Sequence, residues 1–454
     1  MPGNLTFADL KKRVKDGTID TVIACAPDMQ GRLMGKRFHA QYFIDGGHEE
    51  THCCNYLLAT DLEMTTVQGY ASTSWAAGYG DYVMKPDLST MRLIPWLEKT
   101  ALVLSDLLDH HSHQPVPHSP RAVLKGQIER LKKLGLTAFA ATELEFFVFR
   151  ETYDAARDMG YRGLTTISPY NEDYHIFQTT KEEGLMRAIR NGLYGAGVTV
   201  ENTKGEADAG QAEVNIKYSD ALDTGDTHVL VKNAVKEIAW AQGHAITFMA
   251  KPHHKMAGSS SHIHLSIWKD GKNAFHDPKG KHGMSALMEN YLAGLLAHAD
   301  GMTYFLAPYI NSYKRFAAGT FAPTKAIWSA DNRTAGYRIC GSGTKAVRVE
   351  CRVGGSDLNP YLALAAQIAA GIAGIEGKMK LEPEFSGDAY AAQKARDIPR
   401  TLRAATAALD GSKMLRKAFG DAVIDHYVHA ANWEQEDFDR KVTDYEIARG
   451  FERS

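Results

Sequence analysis

The stretch Thr142-Glu-Leu-Glu-Phe-Phe147 alternates acidic and apolar side chains. Successive side chains of a strand point to opposite faces, so Glu143 and Glu145 share one face and Leu144 and Phe146 the other. Three further stretches repeat the pattern. In Glu213-Val-Asn-Ile-Lys217 the polar set is Glu213, Asn215 and Lys217; in Ser261-His-Ile-His-Leu-Ser266 it is His262, His264 and Ser266. In Val347-Arg-Val-Glu-Cys-Arg-Val353 it is Arg348, Glu350 and Arg352. An antiparallel sheet with one solvated side would account for any one of these strands. A solvated face, however, usually carries Lys, Thr and Ser, whereas these four carry carboxylate, imidazole and guanidinium. Glu206 adds a carboxylate just before the second strand, in a segment whose glycines let backbone come close to a ligand.

If these faces line one cavity, the carboxylates cannot all ionise side by side without cations, because like charges at close range raise one another's pKa. Oxygen ligands with a single imidazole suit Mg2+ or Mn2+, not the closed cage of structural zinc. Arginines in the same cavity need anions, and guanidinium grips phosphate or carboxylate bidentately. The chemistry indicated is phosphoryl transfer on a carboxylate-bearing substrate.

Around the strands, the spacing predicts helices over Asp226 to about Ala241, Met284 to about Ala299 and Pro360 to about Ile375. Another starts at Ser119-Pro120, with Val123, Leu124, Ile128, Leu131 and Leu134 on one face. The N-terminal part differs. A short helix capped by Thr6 precedes a strand at Thr21–Ala24, a turn at Asp28–Gly31 and a returning strand from Arg32 to Phe38, followed by short apolar runs to about residue 110. The prolines of His111–His118 mark a linker. The expected class is α+β, with a small sheet-rich domain over 1–112 and a larger domain over 113–454.

The 454 residues, 44% hydrophobic and 23% charged, suffice for a large core and suit two domains. With 52 basic and 54 acidic residues there is no electrostatic footprint for nucleic acid. Five cysteines, odd in number and without C-x-x-C spacing, suggest reduced thiols. Neither the start, Met1-Pro2-Gly3-Asn4-Leu5-Thr6, nor the longest apolar stretch, Tyr361 to Ile375, reads as a signal or membrane segment, so a soluble cytoplasmic protein is expected.

Seven strings occur together in order: Glu143-Leu-Glu145, Ala209-Gly-Gln-Ala-Glu213, His262-Ile-His-Leu-Ser266, Asn311-Ser-Tyr-Lys-Arg315, Asn332-Arg333, Arg348-Val-Glu-Cys-Arg352 and Asn359-Pro-Tyr361. In order and spacing, across nearly the whole chain, they resemble the glutamine synthetase superfamily. The resemblance implies a small N-terminal β-grasp domain and a larger catalytic α/β domain whose antiparallel sheet lines the active site. It also implies a homo-oligomeric ring, dodecameric by preference, with active sites between neighbouring subunits. Position by position, it makes Glu145, Glu206 and Glu213 ligands of one metal and Glu143, His262 and Glu350 ligands of the other. Glu201, His264, Ser266, Lys345 and Arg348 resemble ATP contacts, Arg338 lies with them, and Arg333 is placed to stabilise the transferring phosphoryl group. Gly258, Arg315 and Arg352 resemble the glutamate-binding set. The implied reaction uses ATP and Mg2+ or Mn2+ to form γ-glutamyl phosphate, from which an amine displaces phosphate.

Three positions depart from the family pattern. Ammonia-using members carry a flap glutamate where Gly319-Thr-Phe-Ala-Pro323 places Phe321, and their Asp-Gly-Ser-Ser segment has no counterpart in Thr51-His-Cys-Cys-Asn-Tyr56. Ala257 replaces the asparagine that normally precedes Gly258. Loss of two anionic ammonium contacts and gain of an aromatic ring favour an alkylamine, methylamine first and isopropylamine or another short amine second. The alternatives are glutamine synthesis from ammonia, with Asp61 or Glu63 replacing the lost base, and a non-catalytic structural or regulatory homologue.

Overall fold

The computed structural model describes residues 3–454; Met1 and Pro2, the start of the N-terminal stretch read above, lie outside the described residues. The N-terminal sheet is mixed, with strands β1 (Thr21–Pro27), β2 (Leu33–His39), β3 (Thr51–Cys54), β4 (Asp81–Pro86), β5 (Arg92–Leu93) and β6 (Thr100–Asp109). They follow the order β2-β1-β6-β4-β3, with β5 against β6, and β1 runs parallel to β6 but antiparallel to β2. The β1–β2 turn closes because Asp28 Oδ1 accepts from the N–H groups of Gln30 (3.0 Å) and Arg32 (2.8 Å), while Gly31 takes a φ of +76° that glycine adopts without strain. Val22, Ala24, Ala101 and Val103 face Leu10 of the helix Phe7–Lys15, whose start is a capping box of Thr6 and Asp9.

The second sheet contains β7 (Thr137–Phe149), β8 (Val200–Gly205), β9 (Gln211–Ile216), β10 (Ser219–Asp220), β11 (Ala245–Thr247), β12 (Ser261–Lys269), β13 (Lys272–Asn273), β14 (Trp328–Ala330), β15 (Tyr337–Cys340) and β16 (Arg348–Cys351). Its main path is β14-β15-β16-β12-β7-β9-β8. The four alternating stretches are therefore the consecutive neighbours β16, β12, β7 and β9, all antiparallel to one another in turn. Their apolar face is covered by helices: Leu144, Phe146 and Val214 pack with Leu230, Val231 and Val235 of the helix Ala221–Ala241.

The expected helices form with shifted ends. Asp220 caps the N–H groups of Leu222 and Asp223, so the helix expected from Asp226 begins five residues earlier. The helix expected over Met284–Ala299 is instead two, Ala286–Ala297 and Ala299–Leu306, meeting at His298. Ser119 makes no side-chain cap, leaving Pro120 to start Pro120–Lys133. Beside it, buried Arg121 ties the first sheet to the helix Ala221–Ala241 by donating to Asp226 (3.0 Å), to Asp106 of β6 (2.6 Å) and to Asp87 (2.7 Å). All five cysteines are free thiols, four of them buried. Among the described residues no helix is long and apolar enough to cross a membrane.

Candidate functional site

Strand register brings the polar residues into contact. Glu143 on β7 is directly opposite His262 on β12 and Asn215 on β9; Glu145 is opposite Glu213; His264 is opposite Glu350 of β16. Two clusters result, each with ligand atoms within 4.8 Å of one another: Glu145, Glu206 and Glu213, and Glu143, His264 and Glu350. His262 belongs to the second cluster as well, its Nδ1 lying 2.9 Å from Glu143 Oε2 and 3.6 Å from Glu350 Oε1.

The electrostatics of the two clusters differ. Burial, then the charges of Glu206 and Glu213, push Glu145 well above the usual carboxylate range. Burial, with Glu143 and Glu206, pushes Glu213 up to about 8. In the other cluster burial again opposes ionisation, but hydrogen bonds from His262 and His264 hold Glu143 far below its ordinary value. Likewise the neighbouring His262 imidazole and Arg352 guanidinium outweigh burial and bring Glu350 to about 2. Burial and the Arg352 charge keep His262 neutral, the ligating form of imidazole. A three-carboxylate cluster in which Glu145 and Glu213 are held back from ionising, beside two more carboxylates facing imidazole, fits divalent cations with oxygen-rich shells. Lys204 also reaches this group, in ion pairs with Glu206 and with Asp173 (3.0 Å).

Arginines close one side. Arg352, buried, donates through Nη1 to Glu350 Oε1 (2.5 Å) and through Nε to the Arg333 carbonyl (3.1 Å). Arg338 donates to Glu350 Oε2 (2.9 Å) and pairs with Asp331. Arg333 is exposed and touches this group through its backbone. Arg315 is turned inward: its guanidinium donates to the carbonyls of Val353 (2.8 Å) and Arg352 (2.9 Å) and to Ser260 Oγ (2.9 Å). In this arrangement Arg315 frames the wall that holds Arg352. Gly258 lies against it, because a Cβ there would stand 2.6 Å from Arg315 Cγ and 2.9 Å from the Ala250 carbonyl oxygen. Gln211 Nε2 donates to the Gly258 carbonyl (3.0 Å) and reaches Glu145 Oε2 (3.3 Å), and the N–H of Ala257 donates to Asp208 (2.5 Å).

Glu201, His264, Ser266, Lys345 and Arg348, scattered over 148 positions of sequence, line one cavity of about 440 Å³ that also reaches Glu143. Arg348 Nε donates to His264 Nδ1 (3.1 Å), while His264 Nε2 lies 2.8 Å from Glu143 Oε1. Three aromatic residues of this cavity were not singled out from sequence. Trp268 stacks on Tyr218 with centroids 6.3 Å apart, and Phe139 lies 4.9 Å from Trp268. Trp268 was within reach of the alternation, since it stands two residues beyond Ser266 on the same face.

Phe321 is 59% exposed, at a φ of +56° that is strained for a bulky residue, and the flap segment 317–323 carries no acidic side chain. Its backbone adjoins Tyr390, whose hydroxyl is buried and also senses Arg352 and Arg315. Tyr390 sits on a short turn fastened to the Arg333 loop by Asn332 Nδ2 on the Gly387 carbonyl (2.8 Å) and by the N–H of Ala389 on Thr334 Oγ1 (3.0 Å). No sequence signal marks it. Asp61, offered above as a substitute base, accepts from Trp433 Nε1 (3.3 Å) and the N–H of Thr65 (2.8 Å).

Residues 117–450 match the family described as glutamine synthetase, catalytic domain. The chain is 47% identical over 451 residues to gamma-glutamylethanolamide synthetase of Streptomyces coelicolor, covering 99% of this chain and 96% of that protein. It is 36% identical over 440 residues to glutamate–isopropylamine ligase of a Pseudomonas species, covering 96% of each. A solved structure described as a GmaS/ADP complex aligns with a TM-score of 0.85 at 26% identity, covering 98% of this chain and 99% of that one.

Proposed function

Because the chain belongs to the glutamine synthetase family, we propose that it is an ATP-dependent ligase joining the γ-carboxylate of L-glutamate to a small primary amine. The observation that carries the amine reading is the flap, where exposed Phe321 occupies a segment without a carboxylate. The two relatives, one named for an ethanolamide product and the other for the isopropylamine it joins to glutamate, support it. The apolar flap favours a short alkylamine, methylamine first and isopropylamine or another short amine second, and the relatives add ethanolamine to the set.

In this reading ATP occupies the cavity of Glu201, His264, Ser266, Lys345 and Arg348, its base against Trp268 and Tyr218. Glutamate binds through Gly258 and Arg352 in the wall that Arg315 frames. Glu145, Glu206 and Glu213 would hold one divalent cation, and Glu143, His262 and Glu350 the other. Bound Mg2+ or Mn2+ would offset the charge of the phosphate oxygens and of two anions brought together. The γ-carboxylate oxygen of glutamate attacks the γ-phosphorus of ATP, ADP leaves, and Arg333 and Arg338 stabilise the equatorial oxygens in flight. The amine then attacks the acyl carbon of γ-glutamyl phosphate, phosphate departs and the nitrogen gives up a proton. Phe321 covers this step with an apolar surface. The same reading takes residues 1–112 as a separate domain and the enzyme as a cytoplasmic ring, preferably a dodecamer; the free thiols suit a reducing compartment.

Phosphate release measured with glutamate, ATP and either ammonia, methylamine, ethanolamine or isopropylamine tests the proposal. One of the substituted amines is expected to exceed ammonia in kcat/KM by about 10- to 200-fold, the worth of a fitted apolar group. Phe321→Glu should move the preference towards ammonia, since it restores a charge that attracts ammonium. A ratio near one in wild type, unmoved by the substitution, would return the protein to plain glutamine synthesis. Trp268→Ala should raise KM for ATP roughly 5- to 150-fold, from the ~1–3 kcal/mol of base–aromatic stacking, with KM for glutamate little changed. Equal ATP affinity would place the base elsewhere.

A further inference from the structure

A second cavity, of about 880 Å³, lies outside this site where the small sheet meets the large domain. It is bounded by the β1–β2 turn, the second half of the helix Ala221–Ala241 and the segment 309–314. Its walls are largely apolar, with Leu33, Met34, Ile246 and Phe248 prominent. Lysines 232, 236 and 314 enter it, and among the described residues none of them forms an ion pair.

The acids that share the cavity are otherwise engaged. Glu237 accepts from Trp96 Nε1 (2.7 Å) and Asp357 from Ser312 Oγ (2.7 Å). Burial and the Glu63 charge push Glu434 up to about 7, which leaves it only partly ionised near neutrality. Lys232 donates to the Ser356 carbonyl (2.8 Å), and Lys232 and Lys236 lie 5.5 and 5.9 Å from the centre of the Phe248 ring. Burial, aided by the Lys236 charge, draws Lys232 down to about 7. An anion entering here would meet lysines that form no ion pair, and an apolar body would meet the ring and aliphatic walls.

We propose that this cavity binds an amphipathic organic anion, an aromatic or acyl body bearing one carboxylate, sulfonate or phosphate group. Volume and lining both suit a ligand of that kind, because pockets of several hundred Å³ with a few placed polar groups are the usual form of small-molecule sites. The cavity also backs on the reaction site. Ser356, whose carbonyl holds Lys232, donates its hydroxyl towards the carbonyls of Glu145 (2.6 Å) and Ser260 (2.5 Å).

The probes are 8-anilinonaphthalene-1-sulfonate and its neutral analogue N-phenyl-1-naphthylamine, titrated by fluorescence against the full-length protein with ADP and Mg2+ at saturation to block the nucleotide cavity. The expected result is saturable binding of one sulfonate per chain. Lys236→Glu should weaken it by at least about tenfold and Lys236→Arg should preserve it, while the neutral analogue binds all three proteins alike. Lys314→Glu gives an independent check from another wall. Equal sulfonate affinity in wild type and both glutamate variants would overturn the proposal. So would the absence of saturable binding, the outcome if a second copy of the chain covers this face.

Discussion

Glu145→Gln is expected to lower phosphate release by roughly 10³-fold or more, from the several kcal/mol of charge stabilisation that a well-placed divalent cation supplies. The same substitution should raise the melting temperature of the protein stripped of divalent cations. Glu145 is only 6% exposed and stands directly across from Glu213, with Glu206 in the same group. Without a cation, burial and the neighbouring carboxylates make ionisation of Glu145 and Glu213 harder, a cost carried by the folded state and absent from the unfolded chain. An amide keeps the shape and keeps an acceptor for the N–H of Ser260, which donates to Glu145 Oε2 at 2.7 Å. It removes the repulsion and one anionic ligand together, so stability and activity should move in opposite directions. Melting curves in chelator and in Mg2+, paired with turnover at saturating Mg2+, separate the two effects: Mg2+ should stabilise wild type more than the variant. Near-normal kcat in the variant, or a lower melting temperature in chelator, would remove Glu145 from the metal set.

Arg352→Lys should lower kcat/KM for glutamate by about 10- to 150-fold, the equivalent of ~1.5–3 kcal/mol for hydrogen bonds made by a charged group. Arg352 bridges the Glu350 carboxylate and the Arg333 carbonyl with two different nitrogens of one rigid plane. An ammonium group can satisfy one of these at a time and cannot present a planar fork to a substrate carboxylate. The variant should keep its fold, because the Arg315 contacts to the Arg352 and Val353 carbonyls involve backbone alone. Steady-state kinetics with glutamate varied checks this. An unchanged KM together with an unchanged kcat would reassign Arg352 to a purely structural role.

Much of this arrangement is visible in sequence because a strand has a period of two. Alternation alone put Glu143 with Glu145, His262 with His264 and Glu350 with Arg352, and the antiparallel sheet then set those faces side by side. The β1–β2 turn was equally legible, since Asp28 and Gly31 act within a few residues of one another. Helix ends were less so. Asp220 extends its helix by a local cap, but Asp226, the expected start, is instead drawn inside by Arg121, 105 residues away.

What alternation determined, then, is which side chains share a face and what chemistry that face can perform, because side-chain direction in a strand follows from local backbone geometry. Register and packing decided the rest. Only the pairing of β7 with β9 makes Glu145 and Glu213 neighbours, and only the approach of residues 201, 264–266 and 345–348 encloses the 440 Å³ cavity. Arg315, read as a ligand for substrate, spends its guanidinium on carbonyls of a distant segment, and the Tyr390 hydroxyl comes to lie beside Phe321 through contacts made by Asn332 and Thr334. These depend on chain segments far apart in sequence whose meeting lowers the free energy of the whole packed core, and no local pattern of residues encodes such a meeting.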